Sequence, residues 1–134
     1  TMGGRDDAHD DAFEADELTE AQTATLKTQL LALRVELERH ISVGAESAET
    51  VDLDAPIGRL TRVDAMQRQQ IAAETMRRQG VRLAQVRAAL TRVEHGDLYG
   101  LCTRCEEPIG LRRLSARPEA PICMDCQRTQ ERVR

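Results

Sequence analysis

Leu26, Leu30, Leu33 and Leu37, a second apolar seam at Met76, Leu83, Val86, Leu90 and Val93, and two CxxC pairs near the C-terminus predict a mainly α protein. The expected architecture is a long antiparallel two-helix coiled-coil hairpin, then a small four-cysteine zinc finger domain and a C-terminal helix. Steps of three and four between apolar residues are the period of a helix that buries one stripe. The two CxxC pairs hold every cysteine of the 134-residue chain. Composition agrees with this division. One Phe, one Tyr and no Trp leave Leu, Val, Ala and Met to supply the apolar surface. That suits aliphatic helical seams and a metal-held module better than one large core.

The elements follow in order. Residues 1–16 are rich in Gly, Ala and acids, with Asp6, Asp7, Asp10 and Asp11 foremost. They read as a disordered acidic arm, with a short docking helix as the alternative. Residues 17–95 form the expected hairpin. Its first helix begins near Glu17–Thr19 and weakens near Gly44. Residues 44–58 contain Gly44, Ser47, Thr50, Pro56 and Gly58, all turn-friendly or helix-breaking, and the tip falls at about 46–58. A second helix runs from about Arg59 to Val93 or Glu94, and Gly80 allows a bend. Its seam thins toward the tip, to Ala65, Met66, Ala72 and Ala73 beside several glutamines. Two helices joined by one loop hide their seams against each other. The alternative is dimerisation through the same stripes. Gly96 is placed to close the second helix. Residues 96–134 form the zinc finger, with a final helix from Gln127 to Arg134.

The cysteines carry the sharpest signal. Cys102-Thr-Arg-Cys105 and Cys123-Met-Asp-Cys126 are separated by 17 residues, a spacing that reads as a four-thiolate zinc site. Each pair turns two sulfurs toward one point, and two pairs complete a tetrahedron. One Zn2+ with four cysteine ligands has no vacant position, so the expected metal is structural rather than catalytic. Two disulfides are the alternative in a secreted protein, but no apolar signal segment is seen. A thioredoxin-like pair needs a βαβ setting that the pattern lacks. His40 as a further ligand is superfluous.

The formal net charge of −4 conceals an asymmetry. Residues 1–58 hold 14 acids and 4 bases, whereas residues 59–134 hold 9 acids and 15 bases. A protein that coats nucleic acid would be strongly basic, so this balance favours a partner with surfaces of both signs. No apolar run reaches the roughly 18 residues needed to span a bilayer. A soluble, cytoplasmic protein with no membrane contact is expected.

Three stretches together resemble the DksA/TraR family of zinc-finger transcription factors: Gly100-Leu-Cys-Thr-Arg-Cys105, Pro108-Ile-Gly-Leu-Arg-Arg-Leu-Ser-Ala-Arg-Pro118 and Ile122-Cys-Met-Asp-Cys126. The IGxRRLxARP string between the cysteine pairs is more specific than the cysteines themselves. The resemblance covers about residues 17–134. It implies direct binding to bacterial RNA polymerase as a monomer, without sequence-specific DNA contact. It further implies entry of the hairpin into the secondary channel to modulate initiation, in many members with the alarmone ppGpp in the stringent response. The tip residues it points to are Asp52, Asp54, Asp64 and Ala65, although the family's Asp-x-x-Asp-x-Ala signature is missing. Candidates facing polymerase or ppGpp are Arg82, Arg87, Arg112, Arg113 and Arg117. Positions matched to the family's basic patch are Gln85, Arg117 and Gln127, and glutamine cannot supply the positive charge that Lys or Arg brings to a phosphate contact. Weak or absent ppGpp dependence follows.

Two other functions compete. A nucleic-acid-binding zinc ribbon, or a structural interaction module, is weakened by the acidic half and the scarcity of aromatic residues for base stacking. An enzyme is disfavoured, because the sequence has no Gly-rich phosphate loop or nucleophile–base pair, and the metal site is closed.

Overall fold

The computed structural model describes residues 17–50, 59–96 and 98–133. The acidic arm and the tip residues Asp52 and Asp54 lie outside the described residues. Four helices carry the fold of the described residues: α1 (Glu20–Thr50), α2 (Arg59–Glu94), α3 (Leu111–Ala116) and α4 (Met124–Val133). Among the described residues there is no strand, only one antiparallel bridge between Leu101 and Pro108. No helix among them is long and apolar enough to cross a membrane.

α1 starts where its sequence supplies a capping box. The Thr19 hydroxyl accepts from the Gln22 N–H at 3.1 Å, and the Gln22 side-chain oxygen accepts from the Thr19 N–H at 3.0 Å. Each side chain thus satisfies a backbone donor that the first turn leaves open. The helix does not weaken at Gly44 but continues to Thr50. One glycine costs a helix only about 1 kcal/mol against alanine. Here Met76 of α2 fills the missing volume, and a Cβ on Gly44 would lie 2.6 Å from its Sδ. α2 likewise runs unbroken through Gly80. It ends as expected at Gly96, whose φ of 85° allows its N–H to reach the carbonyls of Arg92 and Val93, both at 3.1 Å.

The two long helices pack on each other within this chain. Their buried seam is Leu26, Leu30 and Leu37 against Leu83, Val86, Ala89 and Leu90, with Leu33, Ile41 and Val93 packed beside them. Glu38 of α1 accepts from Arg87 of α2 at 3.0 Å and marks the register between them. At 36 residues α2 is about 54 Å long, from 1.5 Å rise per residue. Asp64 therefore stands about 45 Å from its C-terminal end.

The base of the hairpin is joined to the cysteine module by one continuous core. Tyr99, Cys102, Ile109, Leu114, Ala120 and Ile122 are buried with the helical leucines, and Leu18 packs against them. Gly100, at φ 93°, lets the backbone pass close to Leu18, and a Cβ there would stand 3.0 Å from its Cδ1. α3 packs on α1 and buries Leu114 completely. Its six residues lie in a stretch for which no helix was expected. α4 begins at Met124, earlier than the expected Gln127, so Cys123 immediately precedes it and Cys126 lies in its first turn.

Candidate metal centre and its junction with the hairpin

The first cysteine pair sits in a tight knuckle. The Cys102 N–H donates to the Glu107 carbonyl at 2.8 Å, and the Glu106 N–H donates back to the Cys102 carbonyl at 2.9 Å. Glu106 takes a left-handed φ of 67° to close the turn. The N–H groups of Arg104 and Cys105 both point at Cys102 Sγ, at 3.4 Å. In the second pair the Cys126 N–H lies 3.5 Å from Cys123 Sγ. A bond from the Thr103 N–H to the Pro121 carbonyl, 2.9 Å, holds the two knuckles together.

The sulfurs fit a zinc ion. Sγ atoms of Cys102, Cys105, Cys123 and Cys126 all lie within 4.8 Å of one another, and Cys105 and Cys123 approach to 3.7 Å. A tetrahedron with Zn–S bonds near 2.3 Å has edges of about 3.8 Å. Backbone N–H groups aimed at sulfur, and a helix N-terminus under the second pair, both favour thiolates. Burial opposes ionisation of Cys102, but the backbone N–H groups at Cys105, Cys123 and Arg104 outweigh it and bring the thiol down to about 6. The Cys126 thiol is pushed up to about 12, by burial and then by the neighbouring sulfurs. Four thiols crowded on one point cannot all ionise by themselves, whereas a divalent cation ionises its thiol ligands outright.

Around the cysteines, arginines act as fasteners. Arg113 Nε donates to the Ile122 carbonyl at 3.0 Å, beside the third cysteine, and its other arm reaches Met124 Sδ. Arg82 of α2 donates to Glu119 Oε2 at 2.9 Å, and Arg117 Nε lies 3.6 Å from the same oxygen. Glu119 is 1% exposed, the one buried charged residue among those described. Beside it the Tyr99 hydroxyl donates to the Pro118 carbonyl at 2.8 Å, and burial raises this phenol to about 12. Glu119 therefore ties the second helix of the hairpin to the segment linking the knuckles.

The sequence-derived candidates are thus distributed among several places. The four cysteines converge. Asp64 is exposed and Ala65 half-buried near the start of α2. Arg82 and Arg117 converge on Glu119, Arg87 bridges to α1, Arg113 braces the second knuckle, and Arg112 lies exposed on α3. They do not form a single patch. Gln85 is half-buried, and Gln127 donates to Glu131 at 2.9 Å. Glu119 and Tyr99 were missed. Each is a single residue in an irregular segment, where no periodicity distinguishes buried from exposed.

A helical hairpin rooted in a four-cysteine knuckle defines a class of zinc-finger protein in which the metal supports a projecting arm. Residues 98–132 match the prokaryotic dksA/traR C4-type zinc finger. The chain is 31% identical over 118 residues to the RNA polymerase-binding transcription factor DksA of Escherichia coli K12, covering 85% of this chain and 74% of that protein. Against the protein of the same name from Caulobacter vibrioides it is 32% identical over 120 residues, 86% of this chain and 80% of the relative. Among solved structures, transcription factor DksA2 from Pseudomonas aeruginosa superposes with a TM-score of 0.65 at 34% identity, over 84% of this chain and 85% of that one. This chain belongs to the DksA/TraR family.

Proposed function

We propose that this protein is a transcription regulator that binds bacterial RNA polymerase directly and places its hairpin in the secondary channel to modulate initiation. The observation that carries the reading is the extent of the likeness. Relatives named for polymerase binding share 31–32% identity across about 85% of the chain, hairpin included. The shape suits the task, because a two-helix rod of this length passes where a globular domain cannot.

In this reading the zinc module is a foot that rests outside the channel. Zinc, when bound, supplies a rigid tetrahedral cross-link, and Cys102, Cys105, Cys123 and Cys126 hold it. The module has no open coordination place, so the protein acts by contact and not as an enzyme. Asp52, Asp54, Asp64 and Ala65 are in this reading the residues that act at the polymerase centre. Acidic groups there act on the magnesium or on basic mobile elements. The protein works as a cytoplasmic monomer, with the leucine seams at the base of the hairpin satisfied internally.

Dependence on ppGpp is weak or absent in this reading. Arg82 and Arg117 are already engaged by Glu119, and Gln85 and Gln127 offer no charge to a phosphate. Co-purification with bacterial RNA polymerase core, wild type against an Asp52/Asp54/Asp64 alanine variant, tests the proposal. Retained binding with altered transcription is expected. A wild-type protein that fails to co-purify refutes it, and a ppGpp response as large as that of a responsive relative refutes the last part.

A further inference from the structure

We propose that the distal face of the hairpin is a docking groove for an acidic amphipathic helix of a partner protein. The argument begins with register. The buried positions of α2, Leu90, Val86 and Leu83, continue toward the tip in the same alternating steps of three and four, through Gln79, Met76, Ala72, Gln69 and Ala65. The leucine seam of α1 continues likewise from Leu37 to His40 and Gly44. The coiled-coil frame is thus unbroken, but in place of leucine and valine its distal core positions carry the small residues Ala65, Ala72 and Gly44 and the polar residues Gln69, Gln79 and His40, with Met76 the one large apolar side chain.

Small residues leave space, and glutamine and histidine keep their polar ends toward water, so the seam lacks an apolar filling. The result is an open groove of about 920 Å3. The helices have not parted at this level, since Met76 reaches the backbone of Gly44. What is missing is apolar side-chain volume, chiefly at Gly44, Ala65 and Ala72. Within the groove Val43 remains 54% exposed, and Ala72 is open to water. Holes repeating at the coiled-coil period accept apolar knobs from another helix, spaced three and four residues apart.

Charge selects the kind of helix. Arg39 and His40 from α1 and Arg68 from α2 flank the apolar floor, and among the described residues no acidic one lines it. A helix with an apolar stripe edged by carboxylates would meet hydrophobic surface in the middle and opposite charge at both margins.

The test uses the zinc-loaded full chain and a fluorescent peptide of about three heptads, with Leu at the core positions and Glu beside them. A peptide with the same leucines and Lys for Glu is the control. Saturable binding of the Glu peptide, with affinity at least about tenfold above the Lys peptide, is expected from charge complementarity. Arg68→Glu, an exposed change, should weaken the Glu peptide by about tenfold. Ala72→Leu should fill the groove, raise the melting temperature and still abolish binding, a pairing that mere destabilisation cannot produce. Equal binding of both peptides, binding indifferent to both variants, or no binding at about 100 µM would overturn the proposal. So would self-association of the free chain that Ala72→Leu abolishes, because the groove would then belong to a second copy. These outcomes do not bear on polymerase binding, since polymerase is not in the assay.

Discussion

Removing Arg82 should harm this protein more than removing the charge it neutralises. Glu119 is 1% exposed, and its Oε2 receives Arg82 Nε at 2.9 Å, while Arg117 stands off at 3.6 Å. Breaking a buried pair by deleting one partner typically costs about 3–5 kcal/mol, because a charge is left without compensation. Here the arginine side chains are 38% and 59% exposed, so solvent screens the pair. Arg117 also supplies a partial substitute. Arg82→Ala should therefore cost about 2–3 kcal/mol. Glu119→Gln keeps an oxygen for Arg82 and leaves two arginines that reach water, so about 1 kcal/mol is expected. The double variant should be more stable than Arg82→Ala alone, since the buried charge that lacked a partner is gone. Urea unfolding of the zinc-loaded protein, followed by circular dichroism, measures all three. Costs that simply add, or an Arg82→Ala variant no worse than Glu119→Gln, would show that Glu119 is not a buried charge dependent on Arg82.

Three further outcomes are expected. Chelation of zinc should unfold the cysteine module while the hairpin persists, losing about a fifth of the helical signal, since α3 and α4 hold 6 and 10 residues against 31 and 36 in the hairpin; complete loss of helicity would contradict this. Burial raises Tyr99 from 10.0 to about 12, so the folded state holds its proton more tightly than the unfolded state, and the associated stability is full below pH 10 and lost as pH rises through about 12. Tyr99 is the only tyrosine, in a chain without tryptophan, so its phenolate absorbance reports the titration directly, and Tyr99→Phe should flatten the alkaline loss. Gly80→Ala, with nothing within 4 Å of the added methyl, should stabilise the protein by about 1 kcal/mol; Gly44→Ala should gain less, because Met76 must move, and thermal melts compare the two.

How far the sequence anticipated the structure depended on whether a pattern repeated. α2 lies within a residue of its expected ends because its seam recurs along its length. The four cysteines were identifiable from spacing alone, since one ion fixes the geometry for both pairs. Gly44 was misread as a weak point of α1, because a sequence does not show that Met76 comes across to fill the gap. α3 has six residues, too few for a helical period to declare itself. Glu119 looked like any surface acid between Pro118 and Ala120, and only the fold brings Arg82 to it across 37 positions of chain. Arg82 and Arg117, read as facing outward, are for the same reason partly taken up inside the molecule.

The contact between Leu18 and Gly100 sets an order of events during synthesis. Leu18 leaves the ribosome long before the glycine against which it packs. Both long helices can zip together while the cysteines are still inside the exit tunnel, for they are local in sequence and lie upstream. The foot of α1 stays open until the cysteine segment emerges and captures its ion. Maturation therefore finishes at the root, and a protease pulse applied to nascent chains should cut near Leu18 until metal is supplied.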